Sequence, residues 1–100
     1  MNMQAMLRQA QAMQKDMMKA KEEIENTVFE GVASSGLVKV EINGAFEMIS
    51  VKIDPSVVDP EDVEMLQDLI VVAVNDALKK VEDTTASTMG KFTQGMNLPF

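Results

Sequence analysis

Sixteen carboxylates and nine Lys or Arg residues are the only titratable side chains in this 100-residue chain, which has no His, Cys or Tyr. The commonest general base and metal ligand is therefore missing. So are thiolate nucleophiles, thiolate metal sites and disulfides. The densest acidic cluster is Asp59, Glu61, Asp62, Glu64 and Asp68. Carboxylate oxygens suit Ca²⁺ or Mg²⁺, but this spacing is not that of an EF-hand loop, and helix capping explains most of it. No phosphate-cradling glycine loop or nucleophile elbow occurs. The chain is read as a non-enzyme, with no catalytic residue, no metal site, no cofactor and no small-molecule substrate.

The basic residues are more suggestive. Residues 1–21 hold Arg8, Lys15, Lys19 and Lys21 against one acid, Asp16, whereas residues 54–68 hold six acids and no base. A net charge of −7 argues against an anionic partner for the molecule as a whole, but the segregation leaves one basic segment free to meet phosphate. The usual reading of such a stripe is a solvated face.

The element that must position these charges is a helix over residues 1–26. Met3, Met6, Ala10, Met13, Met17, Ala20 and Ile24 recur at steps of three and four, a heptad seam uninterrupted by Gly or Pro. With Met3 at position a, Arg8 and Lys15 fall at f and Lys19 at c, opposite the seam, while Lys21 flanks it at e. Glu22, Glu23 and Glu25 close the helix, so bases precede acids, against the order that the helix dipole favours. The methionine seam is first of all ordinary packing; a soft peptide-binding groove is the alternative.

Residues 27–53 read as a three-stranded antiparallel meander. TVFEGVA is β-branched and aromatic, with Gly31 weakening it, and Ser34-Ser35-Gly36 turns the chain. Val38, Val40 and Ile42 alternate with Lys39 and Glu41, and Asn43-Gly44 then predicts a two-residue type I′ turn. That turn sets Ile42 opposite Ala45, Val40 opposite Glu47 and Val38 opposite Ile49. It puts Val38, Ile42, Ile49, Val51 and Ile53 on one face and Leu37, Phe46 and Met48 on the other.

A second helix is expected over residues 59–89, with Asp59 at the N-cap, Pro60 at the first helical position and Lys79 and Lys80 near the far end. Its middle, LIVVAVNDAL, is apolar almost all round, so more than one side must be covered. The run Thr84–Thr88 favours fraying, and Gly90, Gly95 and Pro99 mark residues 90–100 as a mobile tail. The whole is a single α+β domain. It is small for the apolar surface it carries, which points to a homodimer with Met13, Met17, Leu69, Ile70, Ala73 and Val74 at the interface. No membrane span or secretory leader is recognised, so a cytoplasmic protein is expected.

Over nearly its whole length the sequence resembles the YbaB/EbfC family of bacterial nucleoid-associated proteins. The matching pieces are QAQAMQ (9–14), GLVKVEINGAFEMISVKIDPSVV (36–58), LQDLIVVAVNDALKKVE (66–82) and the closing GMNLPF. The resemblance implies a tweezer-like homodimer, a central β-body with protruding helical arms, that binds double-stranded DNA through the arms. It also implies nucleoid association and a part in chromosome organisation or gene expression. It matches Gln9, Gln11, Met13 and Gln14 better than any base, and it finds Lys79 and Lys80 where members commonly carry bases. Arg8, Lys15, Lys19 and Lys21 come from the helical wheel alone. The contrasting expectation is a homodimeric scaffold that binds another protein through its apolar seam, with DNA incidental.

Overall fold

The computed structural model describes residues 2–94, with side chains through residue 92. The order is α1 (Met3–Glu25), β1 (Val28–Ala33), β2 (Val38–Asn43), β3 (Met48–Ile53) and α2 (Val63–Gln94). The strands form one antiparallel sheet in the order β1-β2-β3. The fold class is therefore α+β. The molecule is elongated, 71 × 24 × 16 Å.

Asn2 caps α1, its side chain accepting a hydrogen bond from the Gln4 backbone N–H at 3.0 Å. With 23 residues, α1 is about 34 Å long. Only Ile24 is buried, and Met13, Met17 and Ala20 are half-buried along the same seam. On α2 the matching residues are Val81, which is buried, and Thr85, Thr88, Met89 and Phe92, which are half-buried. The two stripes pack antiparallel, beginning where Ile24 meets Thr85 and Ala86 around a cleft at the base of the arm. This packing keeps α2 helical through Thr84–Thr88 and Gly90, where propensity alone predicts fraying, because tertiary burial outweighs weak intrinsic preferences. The tail expected over residues 90–100 is thus helical in its first part. Residues 90–94 are helical, and residues 95–100 lie outside the described region.

The start of α2 also moves, from 59 to 63. Asp59 and Asp62 can both cap. Asp59 closes a turn, its side chain accepting from the Glu61 N–H at 2.9 Å, and Asp62 caps the helix by accepting from the Met65 N–H at 3.2 Å.

The core lies between one face of the sheet and α2. Val38, Val40 and Ile42 of β2 meet Ala73 and Ala77 of α2, all buried. Gly31 on β1 is the point of closest approach. A Cβ there would sit 2.0 Å from the Ala73 carbonyl oxygen and 2.6 Å from the Ala77 nitrogen. The glycine that weakens β1 on sequence grounds is thus what lets the helix lie on it.

The hairpin differs from the expected I′ turn. Val38 stands opposite Ile53, Val40 opposite Val51 and Ile42 opposite Met48, with a bulge near Ile49. Met48, rather than Ile49, is therefore in line with the core-facing residues. Asn43 shapes the loop with its side chain, whose oxygen accepts from the N–H groups of Ala45 (2.9 Å) and Glu47 (3.0 Å). The loop residue at positive φ is Phe46 (65°), and Gly44 is required for a different reason. A Cβ on Gly44 would lie 2.0 Å from the Ile24 carbonyl oxygen, so the loop and the end of α1 touch backbone to backbone.

Candidate nucleic-acid interface

Helical geometry places Arg8, Lys15 and Lys19 in one stripe on the face of α1 opposite Met13, Met17 and Ile24. All three are exposed, and among the described residues none has a carboxylate within ion-pair distance. Gln11, Gln14 and Met18 share the outer surface with Lys15 and Lys19, and Glu22 stands at its inner end. From Arg8 to Lys19 the stripe is about 16 Å long. Lys and Arg side chains on such a ridge offer donors to anionic oxygens and no acceptor.

The remaining basic residues expected to meet DNA lie elsewhere. Lys21 lines the cleft at the base of the arm, which has a volume of about 520 Å³ and also contains Glu25 and Glu82. Lys79 is exposed on α2, without an ion pair among the described residues. Lys80 is engaged within the fold. Its ammonium donates to the Glu30 carbonyl at 2.7 Å and lies 3.5 Å from Asp76 Oδ2. That carboxylate accepts from the Val32 N–H at 3.0 Å. The hydrogen bond from Val32, helped by the Lys80 charge and opposed by partial desolvation, holds the Asp76 carboxyl below its ordinary value. Nothing in the sequence beyond the i,i+4 spacing of Asp76 and Lys80 announces this arrangement.

Of the residues expected at a dimer interface, Ala73 must be reassigned. It has no accessible surface in the single chain and packs on Gly31, so it belongs to the protomer's own core. Met13 and Met17 are half-buried on α1, and Leu69, Ile70 and Val74 are half-buried beside the core. Sequence reasoning did not place Met48 and Val51 of β3 at an interface, and it included Val71 and Val72 of α2 only within the apolar run that needs cover; all four are exposed. Met48 and Val51 are exposed because α2 covers β1 and β2 and leaves β3 bare, and Val71 and Val72 because they lie on the side of α2 turned away from Ala73 and Ala77.

Among the described residues no cluster of acids is arranged to hold a metal ion, and no helix is long and apolar enough to cross a membrane.

Comparison with known proteins places the chain in a family and identifies a solved structure of the same fold. A nucleoid-associated protein of Lactococcus lactis subsp. cremoris (strain MG1363) is 51% identical over 100 residues, covering 100% of this chain and 99% of the relative. One from Lysinibacillus sphaericus (strain C3-41) is 71% identical over 72 residues, which is 72% of this chain and 69% of the relative. The crystal structure of an uncharacterized protein from Helicobacter pylori superposes with a TM-score of 0.74 at 26% identity, covering 91% of this chain and 96% of that one. The family model for the YbaB/EbfC DNA-binding family matches residues 1–96, both helices and the whole sheet included, and the chain belongs to that family.

Proposed function

We propose that this protein is a nucleoid-associated, cytoplasmic DNA-binding protein that acts as a homodimer and holds duplex DNA with low sequence selectivity. The observation that carries the reading is the stripe of Arg8, Lys15 and Lys19, exposed and without ion-pair partners among the described residues, on an arm that projects from an acidic body. Membership of a DNA-binding family and the names of its relatives support DNA as the anion. Cations spaced along a rigid helix neutralise phosphates without reading bases, which gives affinity without sequence preference. Lys79 adds a further cation on α2. A helix about 10–12 Å across fits a major groove about 12 Å wide, so an arm can lie in the groove or along its rim. Binding of this kind affects chromosome organisation or gene expression through coverage of DNA rather than recognition of a site.

A second copy is the simplest cover for the bare side of the sheet. Met48, Ile49 and Val51 on β3 and Val71 and Val72 on α2 are exposed, next to half-buried Leu69, Ile70 and Val74. Pairing there leaves both arms free, in a tweezer-like dimer. Sedimentation equilibrium then returns twice the 11.0 kDa chain mass.

One observation favours the scaffold reading: Met3, Met6 and Leu7 expose an apolar surface near the tip of the arm, with Met3 82% accessible. Salt separates the two readings. Phosphate binding weakens steeply as salt rises, and apolar docking does not. Titration of random-sequence duplex across a salt series tests the proposal; absence of binding to any duplex at low salt refutes it.

A further inference from the structure

The three-stranded sheet has two edges, β1 and β3. Alternate residues of an antiparallel edge strand direct their N–H and C=O groups away from the ladder, where they form a template for another strand. In β1 the outward groups include the Glu30 carbonyl and the Val32 N–H, and both are already taken. Lys80 Nζ donates to the Glu30 oxygen at 2.7 Å, and Asp76 Oδ2 accepts from the Val32 nitrogen at 3.0 Å. The two side chains are one helical turn apart on α2 and 3.5 Å from each other, so each holds the other in place. One donor and one acceptor are thus presented to β1 where a neighbouring strand would present its own N–H and C=O. On β3 nothing comparable exists. Among the described residues no side chain hydrogen-bonds to its backbone, and Met48, Ile49 and Val51 are exposed along it.

We infer that Asp76 and Lys80 act as a surrogate strand that seals the β1 edge against strand addition and leaves β3 as the edge at which a second copy docks. The reason to seal one edge is geometric. An isologous contact at a single edge closes at two copies, whereas two open edges allow one copy's β1 to meet the next copy's β3, and that head-to-tail contact extends without closing. The β3 half of the inference rests on the homodimer proposed above; the sealing of β1 does not. Lys80 accordingly serves assembly rather than DNA.

The test is Asp76→Ala with Lys80→Ala in the full chain, followed by light scattering over a wide concentration range and by hydrogen exchange at the Val32 amide. The wild type is expected to hold one mass. At concentrations too low for growth, the Val32 amide of the double variant should exchange about five- to tenfold faster, the factor corresponding to one such hydrogen bond. Its mass should also rise with concentration beyond that of the wild type. Adding Val32→Pro to the double variant should return the mass to the wild-type value, because proline is tolerated on an edge strand and offers no N–H. Wild-type mass at every concentration with an unprotected Val32 amide would overturn the inference, as would growth that Val32→Pro leaves untouched. Should circular dichroism show the double variant unfolded, Lys80→Met carries the test. It takes the ammonium from a half-exposed side chain and frees the Glu30 carbonyl while Asp76 still meets Val32, so a smaller rise in mass is expected; no rise refutes the seal. A monomeric wild type would remove the homodimer, while gain or no gain in mass of the variants over their parent would still decide the question at β1.

Discussion

Replacing Lys15 and Lys19 with Gln isolates the proposed DNA contact. Both residues are exposed, lie off the seam and have no ion-pair partner among the described residues, so the fold and the dimer lose nothing by the change. With Arg8, Lys15 and Lys19 on each of two arms, full engagement neutralises about six phosphates and gives log K against log salt a slope of about −5, at about 0.9 per phosphate. The double substitution frees two phosphates per arm and leaves a slope of about −2. Measured against a 1 M reference, each phosphate left without its cation at 0.1 M salt is worth about 0.9 decade, or about 1.2 kcal/mol. A non-specific complex of roughly micromolar dissociation constant therefore weakens by about three to four decades and drops below detection. The acidic body opposes part of the attraction and lowers the absolute affinity without changing which residues set the slope. Fluorescence anisotropy of a labelled random duplex at four or so salt concentrations measures both quantities. The control is Lys39→Gln with Lys52→Gln, which stand opposite each other across β2 and β3 on the sheet. If the sheet pair flattens the slope and the helix pair does not, DNA lies on the sheet and the arm assignment is wrong.

Gly31→Ala should be among the most damaging small changes in the protein, because its Cβ meets the backbone of α2 and the helix must lift from β1; the expected loss is about 3 kcal/mol, read from chemical denaturation. Phe46→Gly should raise the melting temperature, since it relieves a φ of 65° at a side chain that is 63% exposed; the gain is on the order of 1 kcal/mol, and unchanged stability would show that the loop imposes no strain. The folded pKa of Asp76 lies below its ordinary value of 3.8, so its contribution to stability is present above that value and is lost as pH falls through the folded pKa. Acid unfolding of Asp76→Asn should accordingly show a shallower dependence on pH below 3.8 than the wild type does, and identical acid limbs would mean that the carboxylate is not linked to folding.

The sequence by itself determined the elements and their order. A seam at steps of three and four, a period-2 run ending in Asn43-Gly44, and a second apolar helix each encode which side of an element is apolar. They also separate Arg8, Lys15 and Lys19 from the seam, because position on a helix follows from count alone. Only the tertiary structure decided what covers each apolar side and which polar groups are used up in doing so. Gly44 was legible as a turn residue, but its lack of a side chain serves the backbone contact with Ile24, at a distance no local pattern records. Ala73 reads as interface and is core, because a Gly on a distant strand lets it sink to zero accessibility. Lys80 reads as a free base, yet its partner is a carbonyl fifty residues away on the edge of the sheet. Periodicity reports an element's own faces; close approach and hydrogen-bond satisfaction depend on two elements at once, and they exist only after the chain has folded.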